Sequence, residues 1–284
     1  MKHARNKTAI LTGASRGLGP YIAQALAKQS INLALVARSE SGLIQTARQL
    51  NNTNIQTACF PADLTDAKSR ENLIRQINQK MGDIDILVNN AGIEHVSAYV
   101  DLSTDEINQM IQTNLVAPMM LTRLILPRMI ARKSGHIVNM SSLGGKKGSP
   151  YSGTYAGTKA ALIQWTSSLR AELKGTGVSS SVICPGFVEQ AGMFAAYNKS
   201  APQIVGETTP EKVADAVIRA IQNDLAEVVV NSKPIWPIII MEAIHPELST
   251  WFLNAFGIHK FYQQQAQENL RNSHRTTVNT TDES

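Results

Sequence analysis

Short apolar segments alternate with longer amphipathic ones along most of this chain, and this alternation restricts its fold more than any other feature. The apolar segments are rich in Ile, Leu and Val without polar alternation, which is typical of parallel strands covered by helices on both faces. They predict strands at 8–11, 31–36, 55–60, 84–88, 136–140, 179–184 and 227–230. Helices are predicted at about 18–29, 40–51, 66–80, 103–131, 153–174 and 210–222. The predicted fold class is α/β, a Rossmann-like doubly wound parallel sheet.

The length of 284 residues favours one large α/β domain with a sizeable core over two small domains. We expect a single domain over 1–284, with its core at about 5–231 and an apolar, helical extension at about 232–272. The final segment, at about 273–284, is polar and lacks apolar periodicity, so we expect a flexible tail.

Composition excludes several classes of function. The net charge of +5 is mild and the Lys and Arg residues are dispersed, so we expect no nucleic-acid partner, which would need a clustered basic face. The two cysteines and six histidines lack the spacing of metal ligands, and we expect no metal. The N-terminus runs into the first strand without an apolar signal segment, so a cytoplasmic location is expected.

The extension carries many aromatic and aliphatic residues between 234 and 261, but Pro237, Glu242 and Pro246 interrupt them. No apolar stretch reaches the roughly eighteen residues of a membrane-spanning helix, so no transmembrane span is expected. The segment could cover a substrate cleft, form a subunit interface or make peripheral contact with a membrane surface. We expect cleft cover and an interface together, in a homodimer or homotetramer. Packing against its own sheet is the alternative.

Tyr155 and Lys159 stand four residues apart in a predicted helix, so their side chains lie on the same face. A nearby ammonium would lower the phenol pKa from its ordinary value of about 10 and give an acid-base group useful near neutral pH. Such a pair suits proton transfer to a carbonyl oxygen or from an alcohol. Tyr151 is the rival phenol, but no lysine stands four residues after it, so we assign it at most a supporting or substrate-lining role.

A glycine-rich segment follows the first predicted strand, with Gly13, Gly17 and Gly19 in the spacing G-x-x-x-G-x-G. Glycines permit a tight turn and let backbone N–H groups approach a pyrophosphate over the N-terminus of the next helix. The alternative is that these glycines only turn the chain.

Each motif is weak alone, but both occur in order with Asn89-Asn90-Ala91-Gly92, Asn114, Ser142 and Pro185-Gly186. With this combination the chain resembles the short-chain dehydrogenase/reductase family of the classical type, over about residues 5–231. The resemblance implies that Tyr155 protonates the carbonyl oxygen or deprotonates the alcohol, while Ser142 hydrogen-bonds the same oxygen. It implies that Lys159 binds the nicotinamide ribose and lowers the pKa of Tyr155.

Ser141 competes with Ser142 because both hydroxyls follow the strand at 136–140. Side chains alternate between the faces of a strand, so only one of the two can point at a substrate. The thirteen-residue spacing to Tyr155 favours Ser142.

The predicted helix at 103–131 begins with Ser103-x-x-Glu106, which has the form of a capping box. Within it, Pro118 follows Asn114 by four residues and has no N–H to donate to the Asn114 carbonyl, which is left free. The resemblance implies a water at such a carbonyl, relaying protons through Lys159. The alternative is that Pro118 only kinks the helix and Asn114 is a polar core residue.

The resemblance also implies the residues of the cofactor site. They are Gly13, Ser15, Arg16, Gly17, Leu18, Gly19, Arg38, Asp63, Leu64, Asn90, Ala91, Gly92, Tyr155, Lys159, Pro185, Gly186 and Val188. Asp63 and Leu64 would contact the adenine ring, although Asp63 could instead only start a helix beside Asp66. Gln190 stands near the place where the family often has a threonine at the nicotinamide carboxamide, and an amide could bond there too. Residues 191–206 suit a mobile substrate lid.

The end of the second strand reads Val36-Ala37-Arg38-Ser39, without the Asp or Glu by which NAD-selective enzymes bind the ribose 2′-hydroxyl. The Arg38 guanidinium could bind a 2′-phosphate in a fork, and Arg16 could approach the same phosphate. We therefore predict that NADP(H) is preferred over NAD(H). The alternative is that both arginines are solvated.

Three functions compete. The first is an NADP(H)-dependent oxidoreductase that moves a hydride between nicotinamide and a carbonyl or secondary alcohol of an apolar small-molecule substrate. The second is a catalytically silent NADP(H)-binding sensor or scaffold, and the third is a nicotinamide-dependent epimerase. Asn114, Ser142, Tyr155 and Lys159 are all present, which argues against the sensor. Net oxidation of NADPH would distinguish the first function from the third.

Overall fold

The seven strands expected from the apolar segments form one parallel sheet. The computed structural model describes residues 6–195, 197, 201–202 and 204–281. The sheet comprises β1 (Thr8–Thr12), β2 (Asn32–Ala37), β3 (Thr57–Pro61), β4 (Ile86–Asn89), β5 (Gly135–Met140), β6 (Val178–Pro185) and β9 (Glu227–Val230). The strand order is β3-β2-β1-β4-β5-β6-β9. This order reverses between β1 and β4, as in a doubly wound Rossmann sheet. The predicted fold class is confirmed.

Helices connect these strands and cover both faces of the sheet. They are α1 (Gly19–Lys28), α2 (Glu40–Arg48), α3 (Ala67–Met81), α4 (Thr104–Ile111), α5 (Ala117–Ala131), α6 (Gly153–Glu172), α7 (Gly192–Ala195) and α8 (Pro210–Asn223). Two short strands that the sequence did not predict, β7 (Phe187–Val188) and β8 (Glu207–Thr208), pair in a separate parallel ribbon.

Two hydrophobic cores lie on opposite faces of the sheet. Leu33 and Leu35 of β2 belong to the core beneath α1, α2 and α8. Ala34 and Val36 of the same strand belong to the core beneath α3, α5 and α6. Successive side chains of a strand point to opposite faces, so every residue of β2 between 33 and 36 is buried and the strand is continuously apolar.

The predicted helix at 103–131 forms with an interruption. Ser103 Oγ accepts a bond from the Glu106 N–H at 3.2 Å, and the Glu106 carboxylate accepts from the Ser103 N–H at 2.9 Å, which confirms the capping box. A π-helical turn at Gln112–Val116 then separates α4 from α5. Pro118 lies in the first turn of α5, where a missing N–H is tolerated, and the wider turn absorbs the break in the α-helical bonding.

The extension folds into three helices, α9 (Trp236–Ile244), α10 (Pro246–Ala255) and α11 (Ile258–Thr281). Tyr262 and Ala266 of α11 pack with Val96 and Leu253 in a third apolar cluster. Helix α11 extends to Thr281 and so includes most of the segment from residue 273 that the sequence predicted as a flexible tail; its flexibility stays a prediction. Residues 282–284 lie outside the described part. Over the described residues, no helix is both long and apolar enough to cross a bilayer.

Candidate active site

A cavity lies at the carboxyl ends of the central strands, where the sequence motifs converge. Its base includes Asn90, Ser142, Tyr155, Lys159 and Gly186. Its walls come from β7, α7 and the C-terminal extension, with Phe187, Met193, Phe194, Ile238, Ile239 and Leu253. The chemistry-bearing residues and an apolar enclosure therefore share one space.

Helix α6 positions Tyr155 and Lys159 side by side. The Lys159 ammonium lies 5.5 Å from the centroid of the Tyr155 ring and donates to the Met140 carbonyl oxygen at 2.8 Å. Burial lowers the pKa of Lys159 to about 8, and the carboxylate of Glu94 opposes this effect. The bond to Met140 holds the ammonium at the end of β5.

The pKa of Tyr155 differs from the expectation that Lys159 lowers it. Burial raises the pKa of Tyr155 above its ordinary value, the Glu94 carboxylate raises it further, and the hydrogen bond with Ser142 lowers it. A phenolate in this cavity would lose hydration and face another negative charge, which explains the direction. Tyr155 is therefore a protonated phenol at neutral pH in the free chain.

The two competing serines occupy different environments. The Ser141 hydroxyl is buried and donates to the Lys159 carbonyl oxygen at 2.8 Å, so it joins β5 to α6. The Ser142 hydroxyl bonds with Tyr155 and accepts from the Gly144 N–H at 3.1 Å. The alternation of strand faces thus places Ser142, and not the Ser141 hydroxyl, beside the phenol.

Asn114 lies in the π-helical turn, fully buried. Its side chain pairs with the backbone of Ile93 through two bonds of 2.8 Å, accepting from the N–H and donating to the carbonyl, and it also donates to Thr158 at 3.2 Å. Asn114 thereby joins the segment after β4 to α6. Its side chain is a polar residue of the core, which the sequence analysis gave as the alternative. The free backbone carbonyl stays a prediction.

The glycine-rich turn is locked against the loop after β4. Gly13 has φ +64°, and a Cβ there would lie 2.8 Å from the Ala91 Cα. Asn90 Nδ2 donates to the carbonyl oxygens of Thr12 and Gly13 at 3.0 and 3.1 Å. Helix α1 begins after Leu18, which offers no side-chain acceptor to the first N–H groups. An uncapped helix N-terminus behind a glycine turn fits a pyrophosphate, so these residues fit a dinucleotide.

The end of β2 presents Arg38 to solvent, and Arg16 is exposed on the glycine-rich turn. Asp63 lies near Arg38, but its carboxylate accepts from the N–H and hydroxyl of Thr65 at 2.8 and 2.7 Å. These bonds, followed by the Arg38 charge, hold the pKa of Asp63 below its ordinary value. Asp66, and not Asp63, caps α3. Arg38 is therefore accessible from solvent at the end of β2.

After β6 the chain turns at Pro185 and Gly186. The Gly186 N–H donates to the Val230 carbonyl at 2.9 Å, and Val188 is buried and lines the cavity. Gln190, in contrast, is exposed with φ +59° and is not among the lining residues. The structure gives no support to a carboxamide contact by Gln190, because the left-handed turn carries its side chain outward.

Glu94 is a cavity residue that the sequence analysis missed. Its carboxylate accepts from the Ser152 hydroxyl at 2.6 Å and from the Tyr197 hydroxyl at 3.2 Å. Burial raises the pKa of Glu94, while Ser152, Tyr197 and Lys159 oppose the rise. The only sequence signal was an isolated acid shortly after Gly92, at the carboxyl end of a central strand. Tyr262 of α11, 168 residues after Glu94, was missed because its place in the cavity depends on the fold of the extension.

Comparison with known proteins agrees with this geometry. The chain belongs to the short-chain dehydrogenase family, whose family model matches residues 7–202. The ketoacyl reductase HetN of Nostoc is 42% identical over 273 residues, which cover 94% of this chain and 95% of that protein.

Two solved structures share the fold. A metagenomic short-chain oxidoreductase in complex with NADP has a TM-score of 0.70 and 29% identity, covering 82% of this chain and 100% of that chain. A variant of the actinorhodin polyketide ketoreductase with NADPH has a TM-score of 0.73 and 27% identity, covering 78% and 95%. The chain is accordingly a nicotinamide-dependent oxidoreductase that acts on carbonyl or alcohol groups.

Proposed function

We propose that the chain is an NADPH-dependent ketoreductase for an apolar small-molecule ketone. The observation that carries the proposal is the Tyr155 phenol, hydrogen-bonded to Ser142 in a cavity whose walls are largely aliphatic and aromatic. The raised pKa of Tyr155 keeps the phenol protonated near neutral pH, which suits a proton donor and therefore the reducing direction.

The preference for NADPH over NADH rests on charge at the end of β2. Arg38 and Arg16 are exposed there, and no acid occupies the strand end where a 2′-hydroxyl would be bound. A guanidinium gains charge-assisted bonds from a 2′-phosphate that a 2′-hydroxyl cannot offer. The two solved relatives in complex with NADP and NADPH are consistent with this choice.

In the proposed mechanism, Ser142 binds the carbonyl oxygen of the ketone and Tyr155 donates its hydroxyl proton to that oxygen. A nicotinamide held beside Lys159, Pro185 and Gly186 would supply the hydride to the carbonyl carbon. Lys159, held by the Met140 carbonyl, places a positive charge beside the phenol as the proton leaves. Asn114 keeps the segment after β4 against α6, and its backbone carbonyl would hold the water that restores the proton.

Consumption of NADPH and of NADH with a panel of ketones and aldehydes tests the proposal. We expect kcat/KM to be at least about tenfold higher with NADPH, since a charge-assisted bond contributes about 1.5–3 kcal/mol. Equal values for both cofactors would refute the 2′-phosphate assignment. Stereoisomer interconversion without net oxidation would instead identify an epimerase, and NADPH binding without turnover of any substrate would identify a sensor.

The outward face of the extension favours self-association. Trp236 and Ile240 of α9 and Trp251 of α10 are 54%, 55% and 65% exposed, which leaves large apolar side chains in solvent. We propose that this face joins copies of the chain in a homodimer or homotetramer. Sedimentation of the full chain tests this: a monomer at all concentrations would exclude the interface.

A further inference from the structure

Glu94 is the only Asp or Glu among the described residues that line the cavity. It lies in the segment that follows β4, and Asn114 holds the neighbouring Ile93 in place. Each of its carboxylate oxygens accepts one bond, from Ser152 at 2.6 Å and from Tyr197 at 3.2 Å. A carboxylate has roughly four acceptor positions, so two donors leave part of this capacity available to a ligand in the cavity.

The other charged residues that line the cavity are lysines, and each of them already has a hydrogen-bond or ion-pair partner. Lys146 is paired with Glu227 and Lys147 with Glu242, each at 2.6 Å. Lys159 donates to the Met140 carbonyl. A substrate carboxylate would therefore find the charges of Lys146 and Lys147 already matched by acids, and beside Glu94 it would meet a negative charge. An uncharged hydrogen-bond donor of the substrate would instead find the Glu94 carboxylate as an acceptor in a largely apolar wall.

We propose that Glu94 is a specificity-determining residue whose carboxylate accepts a hydrogen bond from a hydroxyl or amide N–H of the substrate, remote from the reacting carbonyl. The same carboxylate disfavours substrates that carry an anionic group at that place, because like charges repel in a partly buried site. This inference rests on the proposed ketoreductase function and narrows its substrate class to apolar ketones that carry an uncharged hydrogen-bond donor.

The test measures binding rather than turnover, so that it is independent of the ketoreductase assignment. Bicyclic ketones with a hydrogen, a hydroxyl or a carboxylate at successive ring positions are titrated into the Tyr155→Phe variant saturated with NADP⁺. For at least one ring position we expect the hydroxyl compound to bind about 10- to 100-fold more tightly than its parent. The carboxylate compound should bind more weakly than the parent.

The Glu94 variants, made in the same Tyr155→Phe background, decide whether the carboxylate is responsible. Glu94→Ala should remove the hydroxyl preference, while Glu94→Gln should keep part of it through the amide carbonyl and lose the rejection of the carboxylate compound. Binding of the parent ketone should stay within a few-fold of the reference, which shows that the cavity is intact. If Glu94→Ala does not fold, Glu94→Gln supplies the comparison alone.

Tyr197→Phe and Ser152→Ala are the matched controls, since each removes a donor to Glu94 and leaves the carboxylate. If Glu94 binds the substrate, both controls retain the hydroxyl preference. Loss of the preference in both controls would show that Glu94 only ties those two segments together and would overturn the proposal. Absence of any hydroxyl preference in the reference protein would overturn it as well, whether or not the unmutated enzyme oxidises NADPH.

Discussion

The Lys159 ammonium lies 5.5 Å from the centroid of the Tyr155 ring and is hydrogen-bonded to the carbonyl oxygen of Met140 in β5. Lysine and tyrosine are thus positioned by separate interactions, Lys159 by the end of β5 and Tyr155 by Ser142. Substitutions at the two residues should consequently have different effects.

Tyr155→Phe should reduce kcat by about 10²- to 10⁴-fold, because only the proton-donating hydroxyl is removed. The Kd for NADPH should change little. Steady-state kinetics and a fluorescence titration of NADPH provide the two values. Tyr151→Phe is the control, since Tyr151 packs against His259 and should retain activity. Turnover of Tyr155→Phe comparable with the unmutated enzyme would contradict the assignment.

Lys159→Met should weaken both kcat and NADPH binding. The pKa of Lys159 is about 8, so its ammonium is present below that pH and lost above it. For the unmutated protein we therefore expect the Kd for NADPH to rise between about pH 7 and pH 9. The variant should bind NADPH more weakly at all of these pH values, and its Kd should change less with pH. Titrations across this range measure both. Unchanged affinity in the variant would remove the cofactor-binding role of Lys159.

Arg38→Asp should raise the Kd for NADPH by about 10- to 100-fold and leave that for NADH nearly unchanged, because it places an anion against the 2′-phosphate. Arg48→Asp is a suitable control: Arg48 is also exposed, but it lies at the opposite end of α2. Equal losses in both variants would indicate a general effect of net charge rather than a phosphate contact.

His136 should make the protein acid-sensitive. Its Nε2 shares a hydrogen bond with Ser181 Oγ at 2.8 Å, and burial lowers its pKa to about 4 from 6.5. Between those pH values the unfolded chain binds more protons than the folded one, so the free energy of unfolding should fall with falling pH, by up to about 3 kcal/mol. Urea unfolding at several pH values should show a shallower dependence for His136→Asn. Parallel curves for the two proteins would refute this contribution.

Adjacent residues of α9 should separate the two roles of the extension. Ile239 lines the cavity, whereas Ile240 does not and is 55% exposed to solvent. Ile239→Ser should raise KM for bulky apolar ketones several-fold with little effect on NADPH binding, and Ile240→Ser should reduce self-association while KM stays constant. Kinetics and sedimentation of both variants test this. If each variant changed neither property, the extension would have neither role.

The sequence predicted the main sheet because the spacing of apolar residues differs between continuously apolar strands and amphipathic helices. The π-helical turn at Gln112–Val116 was harder to predict from the sequence. Pro118 indicated a missing backbone hydrogen bond, but whether a helix kinks or widens there depends on what packs around it. The direction of the Tyr155 pKa was missed for a similar reason. Spacing along a helix reveals Lys159, while Glu94 and the burial of the phenol arise only when distant segments meet.

The groups that perform the chemistry and the walls that enclose the substrate come from different stretches of the chain. Asn114, Ser142, Tyr155 and Lys159 precede residue 160, whereas Phe187, Phe194 and the cavity-lining residues of α9, α10 and α11 follow it. Replacement of the C-terminal helices alone could therefore redirect the enzyme to new ketones while the proton donor keeps its partners. In evolution or in engineering, selectivity can change by exchange of the last fifty or so residues, while wall residues outside that stretch, such as Glu94, Phe187 and Phe194, would be altered separately.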